Sequence, residues 1–503
     1  MVITKSNKPR NHEGKWFVPQ IGIELPGVLI IDKSNYSQTL KLYSKVDFLG
    51  VPISNEEFQP KDYPTICGKC RIDEMITLHD CVVSSFNPIG DEIYEIVFEP
   101  TFSFFGGITF NHNATKITRL ICTFPYCSSW FDTNRLFFGS WYSTDDFIEK
   151  MKPALNQEEL TDEIKINDEF SILIERKYLQ EALTLNKNVK AEVKHYVHFR
   201  SSTCKSLGEF KKLAYIFMQL IKLSTGKLLS VNYITAITKK DYLNNFSKKA
   251  INVNGDVIIS ITNYNSLQKR KIIKSDNINQ NNMLFYGGIS NVEKLKQTII
   301  NWYNTYDKFS SVYNIFLDTL EWFQNTDAYL SHVMFNNRFL NLIQALESYH
   351  KFSFPDKSGE YKDEVITKAK ELIQNIEGKN KKWLIRRIKP LNTTLVERLS
   401  YIYKVKFKII SAELFQKEKE INLFIEEIRK IRNDLSHGEK FSKDADEISE
   451  YYYKTLILLL CCILSNLGFS QVEIKKALFS SIKYNKMIGY IKSNMKQKGQ
   501  IEN

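Results

Sequence analysis

No uninterrupted apolar run in this chain reaches the length of a membrane span. The most apolar run, Leu456–Leu464, falls far short of the ~20 residues that a span needs and reads as a core helix. The opening Met1-Val-Ile-Thr-Lys-Ser-Asn-Lys-Pro-Arg10 lacks the apolar stretch of a secretory signal. Eight cysteines in 503 residues are too sparse for a disulfide scaffold, so reduced thiols, a cytoplasmic location and no membrane partner are expected. Also missing are GxxxxGK[ST], HExxH, GxSxG and any convincing carboxylate pair. Those absences argue against phosphate-loop NTPases, zinc proteases of that type and α/β-hydrolases.

What is present allows two to four domains, since 43% apolar and 13% aromatic residues can bury substantial cores. The net charge of +12 and a pI near 9.0 permit a polyanionic partner without requiring one. Up to about residue 290 the pattern is β-rich, with 1–150 and 151–290 as possible subdomains. Alternating or apolar runs occur at Pro26–Asp32, Gln38–Tyr43, Ile72–Val83, Glu92–Glu99 and Thr115–Phe124, then at Phe170–Arg176, Val189–Arg200 and Asp256–Thr262. One amphipathic helix, Leu207–Leu223, interrupts them, and the polar tract 274–282 reads as a loop. From 291 to 503 the period becomes helical, with candidates at Val292–Gln324, Tyr329–Lys351, Tyr361–Ile376, Thr393–Tyr403, Ala412–His437 and Asp444–Leu467. The expected fold class is α+β, a β-rich half followed by an all-α bundle.

The most informative segment is Phe424-Ile-Glu-Glu-Ile-Arg-Lys-Ile-Arg-Asn-Asp-Leu-Ser-His-Gly438. Apolar residues at 424, 428, 431 and 435 give a helix one buried stripe, and Gly438 suits the left-handed position that stops it. Beside the stripe, Arg432 and His437 enclose four residues, with Asn433 one turn behind the histidine. Arginine offers a fixed fork of donors to phosphate oxygens. Histidine can give and take protons near neutral pH. Together they are the equipment of a metal-independent ribonuclease. The bland reading is a helix end whose Arg and His merely face water.

In context, the segment resembles the HEPN superfamily, whose signature is Arg-x(4–6)-His with a polar residue after the Arg. Arg432, Asn433 and His437 fill those positions. Together with Phe339-Leu-Asn-Leu-Ile-Gln-Ala-Leu-Glu-Ser-Tyr-His350 and Leu395-Val-Glu-Arg-Leu399, it is similar to the ApeA-type HEPN domain of bacterial anti-phage systems. Gly14-Lys-Trp-Phe-Val-Pro19, Pro26–Leu29, Pro64-Thr-Ile-Cys-Gly68 and Ile76-Thr-Leu78 resemble the ApeA-type N-terminal domain. The resemblance implies RNA cleavage by 2′-OH attack, giving 2′,3′-cyclic phosphate and 5′-OH ends, without a cofactor. His437 would be general acid or base, Arg432 would stabilise phosphoryl charge, and Asn433 would orient His437. It also implies a homodimer through the HEPN domain, a phage-derived trigger, an N-terminal half that senses that trigger or selects the RNA, and defence by abortive infection. Alternatives are a HEPN module that binds RNA or a nucleotide without cleaving it, and a partner-recruiting adaptor.

Four other groups carry weaker signals. Lys381, Lys382, Trp383, Arg386 and Arg387 could track an RNA backbone while the indole stacks a base, or form a solvated segment around a core Trp. Glu347 could support Arg432 or His437, or be a surface carboxylate. Cys67, Cys70, His79 and Cys81 have zinc-ligand chemistry, though core or turn cysteines fit better. Tyr196, His198 and Arg200 share a strand face that could touch RNA or a partner.

Overall fold

The structure is a computed structural model. It describes residues 9–131, 163–263, 282–354, 394–437 and 445–501, with 368, 371–374 and 376. Within those ranges the interruptions are 21, 33–36, 46–61, 72–73, 90–92, 109–114, 184–187, 228, 244, 247–249, 252–255, 286–291 and 326–331. The chain divides into two compact units. The first holds Met1–Ile221, Leu229–Ile278 and Gly287–Lys296; the second holds Lys222–Leu228, Asn279–Tyr286 and Gln297–Asn503.

In the first unit, six antiparallel strands close a barrel: β1 (Arg10–Val18), β2 (Ile23–Asp32), β3 (Ser37–Ser44), β4 (Asp62–Cys70), β5 (Glu74–Pro88) and β6 (Tyr94–Phe105). Their order is β3-β2-β1-β4-β5-β6, and β3 pairs again with β6, which removes both free edges. Period-two burial along β3 puts Leu40 and Leu42 inside, where they meet Trp16, Leu29, Ile66, Leu78 and Phe98.

The sheet then runs on from the end of β6. Next come β7 (Gly107–Ile108), β8 (Lys116–Thr123), α1 (Cys127–Phe131), β9 (Ile164–Lys165), β10 (Phe170–Leu183), β11 (Asn188–Ser206), α2 (Leu207–Thr225), β12 (Asn232–Thr238), β13 (Asn245–Phe246) and β14 (Val257–Asn263). All but β7 and β13, which pair with each other, join one twelve-stranded sheet in the order β6-β14-β12-β8-β11-β10-β9. The stretches before and after 150 therefore share a sheet, because β8 lies between β12 and β11. Phe210 and Phe217 of α2 are fully buried and pack edge-on against Phe170, Phe199 and Trp130.

The second unit is helical: α3 (Val292–Asn325), α4 (His332–Ser353), α5 (Leu395–Ser400), a π-helical turn Tyr401–Lys406, α6 (Lys408–Leu414), α7 (Glu418–His437), α8 (Ala445–Asn466), α9 (Gln471–Ser480) and α10 (Ile482–Ile501). The α+β class thus holds. Two helix expectations need correcting. The single helix expected over 412–437 is broken, because Phe415 turns extended (φ −142°, ψ 140°) to pack its buried ring on Tyr403 and Phe424. Glu420 Oε2 then accepts the Gln416 N–H and starts α7 afresh. The helix expected over 393–403 begins after Thr394, which forms a reciprocal capping box with Glu397, and continues as the π turn to Lys406. Ser411 Oγ–H donates to the Tyr403 carbonyl and absorbs one acceptor within that turn. The helix expected over 361–376 lies mostly outside the described residues, as does the loop at 274–282. Ile448–Asn466 has the length and apolarity of a membrane span, but 72% of that window is buried inside the protein.

Trp16 packs so tightly that a Cβ on Gly68 would lie 2.5 Å from two of its ring carbons. Gly68→Ala is expected to destabilise the full chain by about 1–3 kcal/mol through overpacking. A thermal melt unchanged from the parent would show that the indole has room to move.

Candidate functional site

Acidic Glu418 and Glu420 in the first turn of α7 oppose the helix dipole favourably. Ile421, Phe424, Ile425, Ile428 and Ile431 form its buried face, and Leu435 is half-buried at the end. This face packs α7 on α4 and α5. The remaining charges are largely self-paired: Arg429 Nε lies 2.8 Å from Glu426 Oε2, and Lys430 Nζ 2.7 Å from Glu427 Oε1. Such exposed pairs add only a few tenths of a kcal/mol each, about 0.2–0.5, but they occupy both cations.

Arg432 differs. It is half-buried, its Nε is shut off from solvent, and among the described residues that donor has no hydrogen-bond partner. The cause lies in the sequence. One turn away on either side stand Ile428, Arg429, Leu435 and Ser436, none of them an acid. Leaving a buried donor unpaired costs about 1–3 kcal/mol, which an anion that drew the guanidinium outward would recover.

His437 is the last residue of α7 and is exposed. It stands out among the histidines whose side chains are described. His12 and His198 lie 2.9 Å from Glu74 and Glu175, and His79 shares a 3.2 Å hydrogen bond with Thr65. His195 is pushed down to about 3 by burial and by Arg176, and His350 to about 4 by burial and by Arg398. Both stay neutral at pH 7. Of this group only His437 is exposed; His12 is half-buried and the rest are buried.

Asn433 is half-buried one turn before His437, and no hydrogen bond joins the two. Ser436 Oγ–H instead closes the last turn onto the Arg432 carbonyl at 2.7 Å. Arg432 and His437, five residues apart on one regular helix, point about 140° apart. Glu347 on α4 is half-buried; its backbone carbonyl accepts from Arg398 Nη1 at 3.4 Å, and among the described residues its carboxylate pairs with neither Arg432 nor His437. Lys381, Lys382, Trp383, Arg386, Arg387 and Gly438 lie outside the described residues. Arg432, Asn433 and His437 therefore occupy the end of one helix, and nothing here bonds Glu347 to them.

The cysteine group reads as core. Cys67, Cys70, His79 and Cys81 are buried on the paired strands β4 and β5. Among the described residues no three His, Cys, Asp or Glu side chains are placed to hold a metal ion. Burial pushes the Cys67 and Cys70 thiols up to about 12, so both stay protonated.

Comparison with known families bears directly on this geometry. The family model for ApeA N-terminal domain 1 matches residues 11–302, which takes in the barrel and the whole extended sheet. The chain belongs to the ApeA family. A second model, Apea-like HEPN, matches 340–473, from within α4 into α9, so the Arg432–His437 helix end lies inside the HEPN domain of this ApeA chain. No curated protein and no solved structure matched.

Seven of the eight cysteines are buried, and Cys204 is half-buried. The native protein at pH 8 should therefore show one fast-reacting thiol with a chromogenic disulfide reagent, and Cys204→Ser should remove it. Rapid reaction of Cys67 or Cys70 would contradict the described packing of β4.

Proposed function

We propose that this ApeA-family protein is a metal-independent endoribonuclease acting at the end of α7. The observation that carries the reading is the contrast along one helix. Arg429 and Lys430 are neutralised by glutamates, whereas Arg432 keeps a buried donor unpaired beside the exposed His437. A phosphodiester would supply the missing acceptor. The ribose 2′-OH attacks the adjacent phosphorus, forming the P–O2′ bond and breaking P–O5′. His437 moves the proton, either from the 2′-OH or to the departing 5′-oxygen. Arg432 holds the charge that develops on the phosphoryl oxygens. Asn433 helps to set the imidazole. The nucleophile comes from the substrate itself, so no metal is needed to make one from water.

The HEPN match supports nuclease chemistry, and the ApeA match supports a role in phage defence. In this reading the protein works in the cytoplasm, the N-terminal unit responds to a phage-derived trigger or selects the RNA, and the basic segment at 379–389 tracks the RNA backbone. The 140° divergence of Arg432 and His437 favours a site shared by two copies, each giving one motif. A HEPN module that binds RNA without cutting it is the competing reading, and the same divergence within one helix is what favours it.

Arg432→Ala and His437→Ala should each lower cleavage by about 10²–10⁴ without loss of thermal stability, because neither side chain is in the buried stripe and Arg432→Ala also removes the unpaired donor. Asn433→Ala should do less. Products should carry 2′,3′-cyclic phosphate and 5′-OH ends, and chelators should not change the rate. Retained cleavage in both variants would return the pair to ordinary helix-end residues.

The shared site has its own check. Sedimentation with activity measured on the same samples should find cleavage only where the dimer is populated. A monomer cutting at full rate, linear in protein concentration, would remove the second copy from the argument.

A further inference from the structure

The first unit contains a pocket of about 630 Å³ at the end of the β8–β11–β10 ladder. That volume lies within the ~300–1,000 Å³ range of small-molecule sites. Arg119 of β8 and Arg200 of β11 line it and face each other directly across the two strands. Like charges placed directly opposite destabilise a sheet unless something anionic lies between them. The carboxylates at hand do this poorly, and Asp168, which also lines the pocket, pairs with neither arginine among the described residues. Glu163 Oε1 is 3.8 Å from Arg200 Nη1, at the edge of an ion pair, and also accepts from Ser171. Glu175 is engaged by His198 at 2.9 Å, and Glu169 by Lys205 at 2.6 Å. Arg200 Nε is shut off from solvent and has no hydrogen-bond partner among the described residues. Immediately after Arg200 the register of β11 on β8 breaks, and Ser201 and Ser202 line the same pocket. Bulges of this kind recur beside binding sites, where they re-aim side chains.

We propose that this pocket binds a small phosphorylated molecule, with Arg119 and Arg200 as the two clamps and Glu163 as the carboxylate that occupies the anion position when it is empty. Two guanidinium forks on directly opposed positions of neighbouring strands suit the three oxygens of a phosphate monoester better than a single carboxylate. Burial together with Arg200 holds the Arg119 guanidinium below its ordinary range, while Asp256, Glu163 and Glu175 counter this. Electrostatic strain of this sort is relieved by an added anion. The site is independent of the nuclease reading, since none of its residues belongs to α7.

The test is calorimetry on the full chain carrying Arg432→Ala, so that the helix-end site does not contribute. The probes are inorganic phosphate and the four nucleoside 5′-monophosphates. Saturable binding of at least one monophosphate is expected, at one molecule per chain. Arg200→Gln and Arg119→Gln should each weaken it at least about tenfold, the loss of one charge-assisted hydrogen bond. Glu163→Gln should tighten it, because a competing carboxylate is removed while a hydrogen-bonding group of the same shape remains. That variant keeps the test decisive if an arginine variant fails to fold. Absence of saturable binding by any of these probes would overturn the proposal, as would binding that Glu163→Gln weakens or leaves unchanged.

Discussion

Nine consecutive side chains, Leu456 to Leu464, are completely shut away from water, so the helix that carries them has to be enclosed on every side. Helices α4, α9 and α10 pack around it, and α7 joins through Phe424 against Tyr451. At the same junction Tyr403, Phe415 and Phe424 form an edge-to-face cluster, with Lys454 Nζ 4.3 Å above the Phe415 ring. Lys454 is itself paired with Glu450 at 2.6 Å, both nearly fully buried. This packing fixes the rotation of α7 about its own axis. A turn of one residue, about 100°, would drive Arg432 into the apolar interior or bring Ile431 into water. The half-buried state of Arg432 follows from that constraint.

An orphaned donor does not by itself make a site. Trp16 Nε1 is also buried with no hydrogen-bond partner among the described residues, yet the indole is fully buried in the barrel core. Arg432 and Arg200 differ in the same two respects. Each belongs to a residue with part of its surface in solvent, and each has polar groups that could complete a shell: a second copy's His437 in the shared-site reading, and Ser201 and Ser202 in the pocket. Accessibility separates a packing defect from a vacancy that an anion can fill.

Local periodicity made much of this architecture legible. Alternation marked strand β3, and the 424–428–431 stripe marked α7, because a buried face imposes its own period on the residues that build it. Long-range pairing left no such trace. Nothing local in Lys116–Thr123 says that it will sit between strands formed more than sixty residues later. The break at Phe415 was hidden for a related reason, since a buried aromatic continues a helical stripe as readily as it ends one. Cys67-Gly-Lys-Cys70 carries the spacing of a zinc ligand pair as well as of core cysteines, and its register against β5 places it in a strand. At the site, the Arg-x₄-His spacing was visible, while the isolation of Arg432 went unread. The signal was available: no acid stands three or four residues away on either side, whereas Arg429 has one and Lys430 has three.

That asymmetry constrains any mechanism written for this helix. The backbone at Arg432 is held by the stripe it borders, whereas His437 sits on the final turn and faces water. A phosphate seated on Arg432 would therefore meet the imidazole of the same helix only after that turn had unwound, which would give up the Ser436–Arg432 hydrogen bond. A second copy offers a route without that cost, since its own His437 is already exposed. For a shared site, forming the active centre and bringing two chains together are the same event. Nuclease activity would then rise more steeply than protein concentration, and the N-terminal unit could restrain cleavage simply by disfavouring the pairing.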